Sequence, residues 1–322
     1  MTVKPKILVA RKVFPEIIEA LRGRFDVEFN DDDRPWPPEE LARRLADKQG
    51  VLATVMDRFD EPLLARCPDL KVISNIAVGY NNIDVPACTQ RGIRVTNTPG
   101  VLDDTTADLT WSLLMASARR IAEADAYVRR SDWKIAFGVQ YFLGQDIHHA
   151  TLGIIGMGRI GQAIARRALG FDMRVIYHNR SHLPAEDEKR LNATWVERDA
   201  LLAESDFVVV MAPYSPATHH LIGATEIAKM KPTAILVNSA RGGVVDDAAL
   251  VDALKAKRIA GAGLDVFEGE PALNPEFAKL PNAVLTPHIG SASRATRIIM
   301  CNTAAANMTA VLEGRQPSNP VN

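Results

Sequence analysis

Residues 151–180 read TLGIIGMGRIGQAIARRALGFDMRVIYHNR. An apolar run typical of a buried strand leads into the glycines Gly156, Gly158 and Gly161, and a stretch with helical spacing follows. A second apolar run, RVIY, completes the unit. In such a unit the first glycine permits a tight turn, the second lets the backbone approach a pyrophosphate, and the third lets helix and strand pack closely. The stretch therefore predicts a Rossmann dinucleotide-binding unit.

The choice of nicotinamide cofactor depends on the end of the second strand. The helix start, at Arg159 and Ile160, is predicted to present backbone N–H groups to the phosphates. A protein that prefers NAD places an acid about 20 residues further on, but here the strand ends in His178, Asn179 and Arg180. An arginine can pair with a 2′-phosphate, and no carboxylate repels that phosphate. The sequence therefore predicts that NADP(H) is preferred and that NAD(H) is possible. The alternative is that Arg180 is an ordinary solvated arginine with no role in cofactor choice.

Apolar and amphipathic segments alternate on both sides of this unit, which is typical of parallel α/β sheets. The fold class predicted is α/β with two doubly wound parallel-sheet domains. The first is expected to be a flavodoxin-like substrate domain of residues 1–100 and 291–322. Its second segment rests on the hypothesis that the C-terminal helix packs back onto the first domain, which periodicity does not show. The second is the Rossmann nucleotide domain, residues 101–290.

One long helix is predicted from about Asp103 to Arg130, capped by Asp103 or Asp104 and bridging the two domains. The next stretch carries four aromatic residues within residues 133–142, here called the aromatic loop, in a chain with only 6% aromatic residues. Large apolar groups in a loop usually need a partner surface, so subunit contact is one interpretation.

The composition excludes several classes of protein. A formal net charge of −1 gives no overall electrostatic attraction to nucleic acid or anionic lipid. No apolar run reaches the ~18–20 residues of a membrane span. The apolar run near the N-terminus is too short for a signal peptide, so a cytoplasmic location is expected. The three cysteines have no disulfide or metal-site spacing.

No metal site is predicted. Four of the seven histidines form two HH pairs, which lack metal-site spacing and cysteine companions. The pairs are His148–His149 and His219–His220.

Polar residues also end three later strands, at the sheet edge where α/β proteins bind ligands. They lie in the segments NSARGG, GLDVFEGEP and PHIG, which contain Arg241, Glu270 and His288. Further motifs are VGYNNIDV near residue 80, TTADLTWSLLMASARR after 105, and VVDDAALVDAL. In these motifs the sequence resembles the D-isomer-specific 2-hydroxyacid dehydrogenases, and within them the glyoxylate/hydroxypyruvate and 2-ketogluconate reductases. The resemblance runs over nearly the whole chain.

The resemblance implies that Arg241 binds the substrate, that Glu270 is the catalytic carboxylate, and that His288 is the acid/base. The chemistry of 2-keto acids asks for these residue types. Arginine grips a planar carboxylate with two hydrogen bonds, histidine can donate a proton near neutral pH, and a neighbouring carboxylate favours the protonated ring.

The resemblance implies further contacts. Val78 and Gly79 look like the loop that binds the substrate carboxylate through backbone N–H groups. Asp265 is expected to contact the nicotinamide carboxamide, although it could simply cap a loop. Cofactor contacts are also implied at Pro213, Ala240 and Thr106, and Thr106 could instead act as a helix cap.

The function predicted is NADPH-dependent reduction of small 2-keto acids such as glyoxylate, hydroxypyruvate and 2-ketogluconate to D-2-hydroxy acids. The family forms homodimers through its nucleotide domain, so Tyr141 or Phe142 is expected near the neighbour's active site. Two alternatives remain: a non-catalytic NAD(P)-sensing regulator of the same fold, and a dehydrogenase of formate or phosphite.

Overall fold

The structure is a computed structural model that describes residues 4–322. The signal-peptide prediction concerns the N-terminal segment. Residues 1–3 of that segment lie outside the described residues. The chain forms two compact units. One contains the described residues up to Leu102 together with Ala292–Asn322, and the other is Asp103–Ser291. No helix within residues 4–322 is long and apolar enough to cross a membrane.

The first unit is built on a five-stranded parallel sheet in the order β2-β1-β3-β4-β5. Its strands are β1 (Lys6–Val9), β2 (Asp26–Phe29), β3 (Gly50–Ala53), β4 (Val72–Asn75) and β5 (Arg94–Thr96). Its helices are α1 (Pro15–Arg22), α2 (Pro38–Leu45), α3 (Glu61–Leu64), α4 (Val85–Gln90) and α12 (Arg294–Leu312). This strand order is the flavodoxin-like one.

The C-terminal helix α12 belongs to this first unit. The hydroxyl of Ser74 in β4 donates a hydrogen bond of 2.7 Å to the Ala304 carbonyl of α12. Met308 and Cys301 are buried in the same core as Ile7 and Val9 of β1, whereas Leu8 faces the core on the other side of the sheet. These three residues of β1 are apolar because helices cover both faces.

The second unit has a seven-stranded parallel sheet in the order β12-β11-β10-β9-β6-β7-β8. Its strands are β6 (Thr151–Ile155), β7 (Arg174–His178), β8 (Ala193–Trp195), β9 (Phe207–Val210), β10 (Ile235–Asn238), β11 (Gly261–Leu264) and β12 (Ala283–Leu285). Its helices are α5 (Asp103–Ala118), α6 (Ile121–Arg129), α7 (Arg159–Leu169), α8 (Ala185–Leu191), α9 (Arg198–Glu204), α10 (Ala224–Ile227) and α11 (Asp247–Lys255), with short 3-10 turns at Pro216–Thr218 and Phe277–Lys279. The order is that of a Rossmann sheet with one added strand, so the predicted fold class is confirmed.

The prediction of one helix from Asp103 to Arg130 is wrong. The backbone of Arg120 adopts the left-handed conformation, with φ 52°, and separates α5 from α6. The N–H of Gln145 donates to the Ala118 carbonyl that this break leaves free. Asp103 and Asp104 lie within the first turn of α5 instead of capping it, and both helices belong to the second unit instead of bridging two units.

Candidate active site

The glycine turn joins β6 to α7. Gly156 has φ +104°, and a Cβ there would lie 2.6 Å from the Ala212 nitrogen. A Cβ on Gly161 would lie 2.4 Å from the Gly156 carbonyl oxygen, so both positions need glycine. A Cβ on Gly158 would instead project into open space, the approach path expected for a pyrophosphate.

The start of α7 fits a phosphate. Its first hydrogen bond runs from Gln162 to the Gly158 carbonyl, and within residues 4–322 no group accepts from the N–H of Arg159 or Ile160. These free donors, together with the positive end of the helix dipole, suit an anion. The Arg159 side chain turns away to Asp103, with its Nε 2.7 Å from Oδ2. The turn therefore fits a dinucleotide through its backbone.

The polar end of β7 lies beside the glycine turn. The Asn179 side-chain oxygen accepts a hydrogen bond of 2.7 Å from the N–H of Met157, so Asn179 holds the turn in place. His178 donates from Nδ1 to the Val196 carbonyl at 3.0 Å. Arg180 is exposed, and its side chain has no hydrogen-bond or ion-pair partner in the described part of the chain. Arg180 is thus free to meet a phosphate.

Arg241 follows β10, and both its side chain and its backbone carbonyl are hydrogen-bonded. Its Nη1 donates to the Ala240 carbonyl at 2.7 Å, and Asn238 donates from Nδ2 to the Arg241 carbonyl at 3.2 Å. Burial lowers the pKa of the Arg241 guanidinium, and the negative charge of Glu270 opposes that shift. Arginine stays charged in proteins, so this is a partly desolvated cation next to Glu270.

His288 and Glu270 form a hydrogen-bonded pair. Nδ1 of His288 lies 2.7 Å from Oε2 of Glu270, and Oε1 of Glu270 accepts from the N–H of Phe267 at 2.8 Å. Burial raises the pKa of Glu270, but the hydrogen bond and charge of His288, the Phe267 N–H and the charge of Arg241 outweigh it and hold this pKa below its usual value. The ionised carboxylate orients the ring with its Nε2 directed away from the pair.

Asp265 holds the turn that carries His288. Its carboxylate accepts hydrogen bonds of 2.6 Å from the hydroxyl of Thr286 and of 2.8 Å from the N–H groups of Ile289 and Gly290. His288 itself has φ 53°, an uncommon conformation for a residue other than glycine. Asp265 is only 1% exposed, and burial raises its pKa in spite of these donors. These contacts are those of an aspartate that caps a loop.

Residues 111–290 match the family "D-isomer specific 2-hydroxyacid dehydrogenase, NAD binding domain". A glyoxylate reductase of Thermococcus gammatolerans is 47% identical over 322 residues, covering 99% of this chain and 96% of the relative. The chain belongs to this family. It is an NAD(P)-dependent oxidoreductase that acts on 2-hydroxy and 2-keto acids, and the resemblance to the D-isomer-specific 2-hydroxyacid dehydrogenases is confirmed.

Solved structures agree with this membership. A protein of Thermus thermophilus superposes with a TM-score of 0.91 at 45% identity and covers 98% of this chain and 100% of its own. An NADPH-dependent glyoxylate/hydroxypyruvate reductase of Sinorhizobium meliloti, solved with NADP and malonate, has a TM-score of 0.88 at 33% identity and covers 99% of this chain and 97% of its own.

The first unit of the dehydrogenase carries Val78 and Gly79 after β4. Asn97 donates from Nδ2 to the Val78 carbonyl, and Asn75 donates from Nδ2 to the Gly79 carbonyl, each at 2.8 Å. Among residues 4–322, no acceptor binds the N–H of Val78 or Gly79. The peptide that carries the Val78 N–H is held at its Ala77 carbonyl by the N–H of Thr98, and the peptide that carries the Gly79 N–H is held at its Val78 carbonyl by Asn97. Both N–H groups are thus held in place and have no acceptor among the described residues, which suits an anion.

The remaining sites named from the sequence lie in the second unit. Thr106 is in the first turn of α5, and a Cβ on Gly290 would lie 3.4 Å from its methyl carbon, so Thr106 adjoins the Asp265 turn. Ala240 is buried and directly precedes Arg241. Pro213 follows β9, and its carbonyl accepts from the Thr218 hydroxyl at 2.7 Å.

Sequence reasoning missed the residues beneath Glu270. Asp247, the first residue of α11, accepts a hydrogen bond of 3.0 Å from the Glu268 N–H, and Nε2 of His220 lies 2.5 Å from Oε1 of Glu268. Burial, together with the charges of Glu268, Asp246 and Glu270, raises the pKa of Asp247 to about 6, against the Glu268 N–H that lowers it. Within residues 4–322 no group of histidine, cysteine and acidic side chains could hold a metal ion.

The aromatic loop presents apolar side chains. Phe137 and Val139 are each 82% exposed. Tyr141 and Phe142 instead pack edge-on against Tyr127 of α6, with ring centroids 6.0 and 5.2 Å away. Both of these aromatic rings therefore have partners within their own chain.

Proposed function

We propose that this enzyme reduces small 2-keto acids, namely glyoxylate, hydroxypyruvate and 2-ketogluconate, to D-2-hydroxy acids with NADPH preferred over NADH. The observation that carries the proposal is the His288–Glu270 pair beside the Arg241 cation. The relative from Thermococcus gammatolerans is named glyoxylate reductase, and the Sinorhizobium meliloti enzyme reduces glyoxylate and hydroxypyruvate with NADPH.

Arg241 is the residue proposed to grip the substrate carboxylate. Its fork of N–H donors matches a carboxylate in two hydrogen bonds and fixes the position of the neighbouring keto carbon. The partial burial of Arg241 strengthens this interaction, because little water competes for the guanidinium. In the first unit, the free N–H groups of Val78 and Gly79 supply a second anion-binding element.

His288 is proposed as the proton donor. A nicotinamide bound in the second unit would supply the hydride. Because Nδ1 donates to Glu270, Nε2 is the nitrogen that gives its proton to the keto oxygen as negative charge develops there. The Glu270 carboxylate stabilises the doubly protonated ring before transfer and fixes its orientation. In the oxidative direction Nε2 takes the alcohol proton.

The cofactor site is proposed from the same unit. Gly156, Gly158, Gly161 and the start of α7 would hold the pyrophosphate, and Arg180 would pair with a 2′-phosphate. The side chain of Arg180 is exposed and has no partner within residues 4–322, which supports the preference for NADPH. Thr106, Pro213, Ala240 and the Asp265 turn are proposed to line the nicotinamide end.

We also propose a homodimer in the cytoplasm. The exposed apolar side chains of the aromatic loop, Phe137 and Val139 among them, favour contact with a second subunit. The three cysteines are buried free thiols, which fits a reducing compartment.

The experiment is a panel of initial rates with NADPH and NADH against glyoxylate, hydroxypyruvate, 2-ketogluconate, pyruvate and formate, the last assayed by oxidation. Turnover of the first three keto acids, faster with NADPH, is the expected result. Oxidation of formate with no keto acid reduced would overturn the substrate class. Binding of NADPH without any turnover would instead favour a nucleotide sensor.

A further inference from the structure

A cluster of four carboxylates lies beneath the catalytic pair. Asp246 caps α11 and accepts from the Ala249 N–H at 3.0 Å, and Asp247 follows it in the first turn. Glu268 and Glu270 come from the segment after β11. The negative charges of the other three members act on Asp247, which is only 6% exposed. Because like charges in a partly buried site repel, a hydrogen-bond donor beside these carboxylates stabilises the cluster.

His220 lies between two of these carboxylates. Its Nε2 is 2.5 Å from Oε1 of Glu268, and its Nδ1 is 3.5 Å from Oδ2 of Asp246. Both ring nitrogens thus lie near carboxylate oxygens, and the ring bridges Asp246 and Glu268. The N–H of His220 is fixed by the Gly243 carbonyl at 2.8 Å.

The segment that His220 and Asp247 hold is the one that carries Glu270. Asp247 binds the backbone of Glu268, and His220 binds its side chain. Two residues further on, Glu270 closes the turn by accepting from the Phe267 N–H and then reaches His288. A shift of Glu268 therefore also shifts the neighbouring backbone from which the Glu270 side chain extends.

We propose that His220 is a positioning residue for Glu270: by bridging Asp246 and Glu268 it fixes the segment 267–270 from which Glu270 orients His288. This inference rests on the proposed acid/base role of His288. The ring of His219 stacks on that of His220 at 3.9 Å between centroids, and the Tyr214 hydroxyl lies 3.4 Å from Nδ1 of His219. Within residues 4–322, no hydrogen bond or ion pair joins His219 or Tyr214 to the acidic cluster.

The test compares His220→Ala, His220→Gln and the control His219→Ala in the whole enzyme. Misplacement of a catalytic group by about 1 Å can cost 100-fold, so kcat for glyoxylate in His220→Ala should fall between about 10- and 100-fold. KM for NADPH should stay within about twofold, since α7 and β7 are untouched. His220→Gln, whose amide can still donate to Glu268, should recover much of the loss, and His219→Ala should match the wild type.

A second readout separates this inference from the proposed function. The Nδ1 proton of His288, shared with Glu270, should give a downfield proton NMR line that is absent in His288→Asn. The line should persist in His220→Gln and His219→Ala, and broaden or disappear in His220→Ala. Equal kcat values in His220→Ala and His219→Ala, or an unchanged line in His220→Ala, would overturn the positioning role. Absence of turnover in the wild type would instead overturn the proposed function, and the NMR line would still decide the role of His220.

Discussion

The Nδ1 atom of His288 lies 2.7 Å from Oε2 of Glu270, although the two residues are 18 positions apart in the chain. Each partner is held in position by further hydrogen bonds. Three donors bound to Asp265 hold the turn at His288, and the N–H of Phe267 holds Glu270. The pair is therefore preorganised for proton transfer.

Asp265→Asn should destabilise the turn that carries His288. An amide nitrogen would face backbone N–H groups, leaving at least one donor unsatisfied at a cost of about 1–3 kcal/mol in the free energy of unfolding. Because His288 would lose its fixed orientation, kcat for glyoxylate should fall as well. Urea denaturation and initial rates measure the two effects. An Asp265→Asn enzyme with wild-type stability would show that these hydrogen bonds do not hold the turn.

Arg180→Ala should lower the preference for NADPH. Loss of a hydrogen bond to a charged group costs about 1.5–3 kcal/mol, so KM for NADPH should rise between about 10- and 100-fold while KM for NADH stays unchanged. Arg174→Ala is the matched control, since this arginine starts β7 but pairs with Glu204 at 2.8 Å. An equal change in KM for both cofactors would show that Arg180 does not bind the 2′-phosphate.

Asn97→Asp should weaken binding of the keto acid. A carboxylate cannot donate to the Val78 carbonyl, so the peptide that presents the neighbouring N–H group is no longer held. We expect KM for glyoxylate to rise about tenfold, equivalent to about 1.4 kcal/mol, with KM for NADPH unchanged. Asn282→Asp is the control, because it removes similar bonds to the Leu254 and Ala260 carbonyls. The same KM in both variants would argue against the anion-binding role of this loop.

Asp247→Asn should change how stability depends on pH. Burial raises the pKa of Asp247 from 3.8 to about 6. A raised carboxyl pKa supplies stability that is fully present below about pH 4 and is lost as the pH rises through about 6. The variant, which can still accept from Glu268, should therefore gain up to about 3 kcal/mol over the wild type between pH 4 and pH 7. Urea unfolding at both pH values measures this gain, and a difference independent of pH would contradict it.

The sequence predicted both sheets because their patterns are local. Apolar runs such as FVVV of β9 are buried on both faces, with Phe207 and Val209 in one core and Val208 and Val210 in the other. The helix break at Arg120 could not be predicted, because helical spacing continues on both sides and a left-handed arginine has no sequence pattern. At the break, the Ala118 carbonyl accepts from the N–H of Gln145, which is distant in the chain.

The candidate site was predictable where a motif lies on a strand end, as at Arg241, Glu270 and His288. The residues that hold it were not. His220 lies 48 positions from Glu268, and no spacing links the two. In the sequence, the His219–His220 pair suggests at most a metal ligand. Asn97 likewise binds Val78 across 19 positions, and only the folded sheet edge shows that contact.

His288 as proton donor and Arg241 as the residue that holds the keto acid are tested by the steady-state kinetics of glyoxylate reduction by NADPH. The kinetics are compared in the wild type, His288→Asn and Arg241→Ala, with NADPH affinity measured separately. Asparagine suits the left-handed backbone at position 288, so folding should be retained. We expect a loss in kcat of at least about 100-fold for His288→Asn, a large rise in KM for Arg241→Ala, and unchanged NADPH affinity in both. A His288→Asn enzyme that keeps its kcat would show that His288 is not the proton donor.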